Sequence, residues 1–60
     1  MMIDKDIIEQ LAYHFMNDNI KDVSDFLHGK TELKHAVYEY IRDVLNLPNK
    51  SDEFRLKIYF

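Results

Sequence analysis

Apolar residues recur at helical spacing in the first part of the chain. The steps between them are one, three and four residues, which places them on one face of a helix over about residues 4–16. This face consists of Ile7, Ile8, Leu11, Ala12 and Phe15. Asp4 is predicted to cap the helix. Residues 17–19 (Asn-Asp-Asn) predict the turn that ends it, because Asn and Asp favour turns.

The same periodicity predicts a second helix over about residues 20–28 and a third over about residues 32–45. Gly29 separates them, because glycine takes the positive φ that ends a helix at little steric cost. Thr31 is predicted to cap the third helix, and Asn46 is predicted to end it in a left-handed conformation. The residues expected to face inward are Ile20, Val23, Phe26 and Leu27 in the second helix, and Leu33, Ala36, Val37, Tyr40, Ile41, Val44 and Leu45 in the third.

The hydrophobic period changes beyond Pro48. Phe54, Leu56, Ile58 and Phe60 alternate with Arg55, Lys57 and Tyr59. This alternation predicts a half-buried strand over about residues 53–60. A lone strand has no hydrogen-bonding ladder, so we expect a homodimer in which this strand pairs with its copy. The residues expected at that interface are Phe54, Leu56, Ile58 and Phe60. The predicted fold is mostly α: a compact three-helix domain with a C-terminal β-strand, in one domain of residues 1–60.

Size and composition narrow the possible functions. Sixty residues form one domain, which buries only about 60% of the surface of its unfolded chain. The sequence has no cysteine, which excludes disulfides and thiolate metal sites and fits a reducing compartment. No apolar run is long enough to span a bilayer and charged residues follow Met1 closely, so we expect a cytoplasmic protein without a signal peptide. The net charge of −3 argues against a protein held on nucleic acid mainly by charge.

Catalytic and metal-binding patterns are weak. The spacing of His14, His28 and His35 does not put two imidazoles on one helical face, which predicts no metal site. Asp22 and Asp25 would need a sheltered pocket to serve as an acid–base pair, and a domain of this size seldom encloses one. We therefore expect no enzymatic activity, no cofactor and no small-molecule substrate.

One stretch of the chain resembles a known family. Residues 23–48 read VSDFLHGKTELKHAVYEYIRDVLNLP. This stretch resembles the second half of phage-repressor/Cro-type helix-turn-helix domains, with matches at Val23, Ser24, Leu27, Gly29, Lys30, Leu33, Val37, Ile41, Leu45 and Leu47. Upstream, residues 9–12 (Glu-Gln-Leu-Ala) resemble the family's Glu-Glu-Leu-Ala. Asn17 or Asn19 is the nearest substitute for the family's turn glycine, and the family's first helix has no counterpart.

The resemblance implies a transcriptional regulator of phage or mobile-element character that binds DNA as a dimer. The segment of residues 19–27 would be its recognition helix, whose N-terminal side chains read base edges. The resemblance implies base contacts by Asn19, Lys21, Asp22 and Asp25, phosphate contacts by Lys30 and Lys34, and a further DNA-binding position at His28. Cro-like proteins also use C-terminal strands to dimerise, as expected here for residues 53–60.

A second hypothesis follows from the charges. Over residues 18–34, four carboxylates outnumber three lysines, namely Asp18, Asp22, Asp25 and Glu32 against Lys21, Lys30 and Lys34. A carboxylate near a phosphate weakens DNA binding. The chain is then an acidic inhibitor or adaptor that binds a protein and not DNA, such as an antirepressor, antitoxin or anti-defence factor. Its expected contact residues are Asp18, Asp22, Asp25 and Tyr38. The tyrosines at positions 13, 38 and 59 lie outside the apolar stripes, where they either cover the core or contact a partner.

Overall fold

The computed structural model of the chain describes residues 5–59, and these residues contain four helices and no strand. The helices are α1 (Lys5–Met16), α2 (Ile20–Leu27), α3 (Thr31–Glu39) and α4 (Pro48–Phe54). α3 continues into a first π turn (Tyr40–Val44), and α4 continues into a second π turn (Arg55–Tyr59). The predicted cap Asp4 and the predicted interface residue Phe60 lie outside the described residues.

A tight turn joins α1 to α2. The backbone N–H of Asn19 donates to the carbonyl oxygen of His14 (3.0 Å), which satisfies part of the open end of α1. The left-handed residue is Asp18, with a φ of 64°. Neither Asn17 nor Asn19, the two residues named as substitutes for the family's turn glycine, takes this conformation. An aspartate tolerates this conformation better than most side chains do.

Gly29 ends α2 as predicted. Its φ of 76° is positive, and the next N–H, that of Lys30, donates to the carbonyl oxygen of Leu27 (2.9 Å). The predicted cap at Thr31 is wrong. Thr31 is the first residue of α3, and the preceding Lys30 occupies the cap position without a side-chain hydrogen bond to the helix.

α-Helical geometry stops at Glu39, short of the predicted end of the third helix. The N–H of Leu45 donates to the carbonyl oxygen of Tyr40 (3.0 Å), five residues back, which is the wider π spacing. This widening changes the phase of the stripe, and Val44, predicted to be buried, is 65% exposed. Asn46 then takes a φ of 56°, as predicted, and closes the turn.

The predicted strand at 53–60 is wrong, because residues 48–59 are helical. Pro48 occupies the first turn of α4, where its missing N–H and fixed φ are favourable. The hydroxyl of Ser51 donates to the carbonyl oxygen of Pro48 (2.8 Å), so this buried polar group is satisfied. A helix also satisfies its own backbone groups, whereas a strand here would find no partner strand among residues 5–59.

The buried positions explain how a strand pattern becomes a helix. Phe54 and Ile58 are four residues apart, so they share a face at a period of 2 and also at a helical period. They are 0% and 5% exposed and belong to the core of their own chain. Leu56 separates the two patterns: it lies on the opposite side and is 73% exposed. A strand-mediated dimer through Phe54, Leu56 and Ile58 therefore has no basis in the fold.

One core joins all four helices and both π turns. The buried apolar residues are Leu11, Ala12, Phe15, Val23, Leu27, Val37, Ile41, Phe54 and Ile58. The rings of Phe15 and Phe54 meet edge to face, with centroids 5.2 Å apart and planes at 77°. This contact joins α1 to α4. Within residues 5–59, no helix is both long and apolar enough to cross a bilayer.

Candidate functional site

The outer face of α2 carries most of the side chains implied as DNA contacts. Asn19, Lys21, Asp22, Asp25 and His28 are all exposed and follow one another along the helix and its flanking turns. Their charges are mixed, since two carboxylates accompany one ammonium group. The structure thus brings these residues onto one element, but it gives that element no excess of positive charge.

Lys30 and Lys34, the two lysines implied as phosphate contacts, do not lie on α2. The ammonium group of Lys30 donates to the carbonyl oxygen of Phe26 (2.9 Å) and sits 5.1 Å from the centre of the Phe26 ring. Lys30 therefore satisfies an open carbonyl at the C-terminal end of α2, where positive charge is favourable. Lys34 lies in the first turn of α3 and is half-buried.

A groove of about 310 Å³ lies between α1 and α2. Its lining consists of Leu11, His14, Asn19, Asp22, Val23 and Phe26. Leu11 and Val23 are buried and supply an apolar floor, whereas Phe26 is 47% exposed. The amide nitrogen of Asn19 lies 3.4 Å from a ring nitrogen of His14, which joins the two helices. We call this the α1/α2 groove.

The periodicity misassigned Phe26, which was expected to face inward. Val23 and Leu27, four residues apart, take the two fully buried positions of this short helix. Phe26 falls on the flank of their stripe and is left half in solvent. No local signal distinguishes the two outcomes, because they depend on how α1 packs against α2.

A second feature is a cluster of three rings on α3 and the second π turn, which we call the aromatic cluster. The ring of His35 lies 6.4 Å from that of Tyr38 and 6.3 Å from that of Tyr59, and the two tyrosine rings are 6.3 Å apart. A groove of about 250 Å³ is lined by these rings and Arg55. Tyr38 and Tyr59 were flagged by their positions off the stripes, but a helical C-terminus was needed to bring Tyr59 to His35.

Charged side chains surround the aromatic cluster. The guanidinium of Arg42 lies 5.1 Å from the centre of the Tyr38 ring, a cation–π distance. It also donates twice to the carboxylate of Asp43 (3.0 and 3.1 Å), which lowers the pKa of Asp43 from its ordinary value. Glu39 approaches both His35 (3.5 Å) and Arg42 (3.8 Å). The charges on this side of the molecule are therefore largely paired.

Two other groups of polar side chains have structural roles. The phenol of Tyr40 packs beside Glu9 and Tyr13 of α1. Burial chiefly, followed by the nearby Glu9 carboxylate, raises the pKa of this phenol. The carboxylate of Glu53 accepts from Lys57 (3.0 Å) and Lys50 (3.4 Å), and these hydrogen bonds lower its pKa. Among residues 5–59, no three His, Cys, Asp or Glu side chains are grouped to hold a metal ion.

Comparison with known proteins gives no relative: no family model matches the chain, and neither a curated protein nor a solved structure matches it.

Proposed function

We propose that this small helical domain is a protein-binding module, an acidic adaptor or inhibitor that contacts its target with α2 and the α1/α2 groove. The observation that carries the proposal is the position of Phe26. Phe26 is 47% exposed and lines a groove with an apolar floor, which Asp22 also lines. A half-exposed aromatic ring in an apolar depression is typical of the anchor positions of protein interfaces.

The charges of α2 also favour a protein over DNA. Phosphate neutralisation by Lys and Arg supplies essentially all non-specific DNA affinity. On the outer face of α2, the negative charges of Asp22 and Asp25 outnumber the positive charge of Lys21. The ammonium group of Lys30 is hydrogen-bonded to a backbone carbonyl. A DNA backbone at this face would meet more negative than positive charge.

The aromatic cluster supports protein binding on a second side of the domain. Tyrosine is enriched at interfaces because one end of its ring is apolar and the other forms hydrogen bonds. Tyr38 and Tyr59 are half-buried, so each retains part of its surface for a contact.

The same proposal places the module in the cytoplasm, since a chain without cysteine needs no oxidising compartment.

A transcriptional regulator of the helix-turn-helix type is the second candidate. The feature that favours it is the short turn at residues 17–19, which joins α1 to the proposed recognition helix with a left-handed residue at its centre. On this alternative, Lys21 and Lys30 would supply the favourable charge. Lys30 would first have to leave the carbonyl oxygen of Phe26.

A pair of selections with the full chain tests the two candidates. The immobilised protein is exposed to a display library of random peptides, and in parallel to pooled random DNA duplexes at low salt. We expect peptides to be enriched, and the dissociation constant of an enriched peptide to rise about tenfold with Phe26→Ala. Leu56→Ala is the matched control, because Leu56 is 73% exposed and does not line the α1/α2 groove.

Two other outcomes of these selections would contradict the proposal. Enrichment of a defined duplex sequence, together with weaker retention of that duplex by Lys21→Ala, would favour the regulator and contradict the protein-binding proposal. Equal loss of peptide binding in Phe26→Ala and Leu56→Ala would mean that the binding surface is not the α1/α2 groove.

A further inference from the structure

We infer that the α1/α2 groove binds a lysine or arginine side chain of a basic, partly apolar segment of the partner. This inference rests on the proposed protein-binding function and specifies the chemistry of the partner. It follows from the combination of an apolar floor, a half-exposed ring and one carboxylate in the same depression.

The lining of the groove is complementary to a long cationic side chain. Leu11, Val23 and Phe26 can cover an aliphatic stem, which lysine and arginine bury while the charged head reaches a polar group. The carboxylate of Asp22 and the amide of Asn19 supply acceptors for that head. None of the described residues that line the groove is a lysine or an arginine.

Asp22 differs from the carboxylates on the other side of the molecule. Asp43 accepts two hydrogen bonds from Arg42, and Glu53 lies between two lysines. Within residues 5–59, Asp22 forms no ion pair with a lysine or arginine. Asp22 thus borders the α1/α2 groove without a cationic partner among residues 5–59, and a partner's cation placed in the groove would complete the pair.

Other occupants fit the groove less well. An acidic side chain would meet the charge of Asp22 at close range, and like charges across an interface disfavour binding. A purely apolar side chain would cover Asp22 without giving it a hydrogen bond, which leaves a desolvated charge. A basic side chain avoids both penalties.

The peptides enriched by the full chain provide the test. We expect them to contain lysine or arginine next to apolar residues. In a titration followed by NMR of the isotope-labelled chain, such a peptide should shift the amide resonances of Leu11, Asp22 and Phe26. Replacement of its basic residue by the neutral isostere citrulline or glutamine should weaken binding about tenfold, as expected for the loss of a charged hydrogen bond.

Two variants with the same net charge test whether peptide binding depends on the groove or only on the net charge of the chain. Asp22→Asn should weaken binding of the basic peptide about tenfold, whereas Asp25→Asn should change it by less than about twofold, because Asp25 does not line the groove. Equal effects of the two changes would contradict the inference. Enrichment of peptides without lysine or arginine would overturn the inference and leave protein binding standing. Enrichment of no peptide would overturn both.

Discussion

Gly29 is the residue whose backbone conformation depends most directly on its identity. Its φ of 76° lies in the left-handed region, where a side chain is disfavoured. An added Cβ would meet no atom within 4 Å, so the cost of a substitution comes from the backbone and not from packing. A substitution at Gly29 therefore measures the cost of the left-handed backbone conformation without a contribution from packing.

We predict that Gly29→Ala lowers the free energy of unfolding by about 1–2 kcal/mol. Gly29→Asn should cost less, because asparagine tolerates left-handed backbone better than alanine does. Urea denaturation of the three proteins measures the difference. Equal stability of the alanine variant and the wild type would show that this turn adopts another conformation in solution.

Ile41 is the residue on which the core depends most. It is 0% exposed and lies in the first π turn, which packs against α1, α3 and α4. Ile41→Ala should cost about 2–5 kcal/mol, a large part of the stability of a small domain. We expect the variant to be largely unfolded at room temperature by circular dichroism. Tyr38→Ala is the control: Tyr38 is half-buried, and its loss should leave the fold intact.

At the scale of elements, the first three helices could be predicted from the sequence and the fourth could not. The stripes of α1 and α2 have no period other than the helical one, and Gly29 and Asn46 have the predicted left-handed conformation. In the C-terminal segment, the spacing of Phe54 and Ile58 places them on one face of either a helix or a strand. Its outcome depends on Phe15, whose ring meets Phe54 across the core, and periodicity does not report such a contact. Phe26 was predicted to face inward but lines the α1/α2 groove. This prediction failed for the same reason, because the position of Phe26 depends on how α1 packs against α2.

Lysine substitutions distinguish the helix from a strand at the C-terminus. Leu56→Lys should keep the fold and change the free energy of unfolding by less than about 0.5 kcal/mol, because Leu56 is 73% exposed. Ile58→Lys should unfold the domain, since it would bury a charge at a position only 5% exposed. Circular dichroism and thermal melts compare them. Unfolding by both changes would favour the strand, in which the two side chains share a face.

The ion pairs of Glu53 predict that the stability of the domain depends on pH. Hydrogen bonds from Lys57 and Lys50 lower the pKa of Glu53 below its ordinary value of 4.5. A depressed carboxyl pKa stabilises the folded chain above the ordinary value, and this contribution is lost as the pH falls through the folded value. We expect Glu53→Gln to reduce the drop in melting temperature between pH 7 and pH 3. An unchanged drop would show that the pairs contribute nothing in solution.

At the scale of the whole molecule, one core supports two different surfaces. The α1/α2 groove combines apolar side chains with a carboxylate that has no ion pair among residues 5–59, and the aromatic cluster combines rings with paired charges. Neither surface could be predicted from the sequence as a unit. The groove depends on the packing of α1 on α2, and the aromatic cluster depends on where the helical C-terminus places Tyr59.

The edge-to-face contact between Phe15 and Phe54 has a consequence for how the protein is made. A ribosome completes α1, α2 and α3 before it adds the residues of α4. Until Phe54 and Ile58 have been synthesised, the apolar stripes of the earlier helices lack much of the surface that covers them. We therefore expect the nascent chain to remain open and sensitive to proteases until residues 54–58 have left the ribosome, and to fold in a single step after that point.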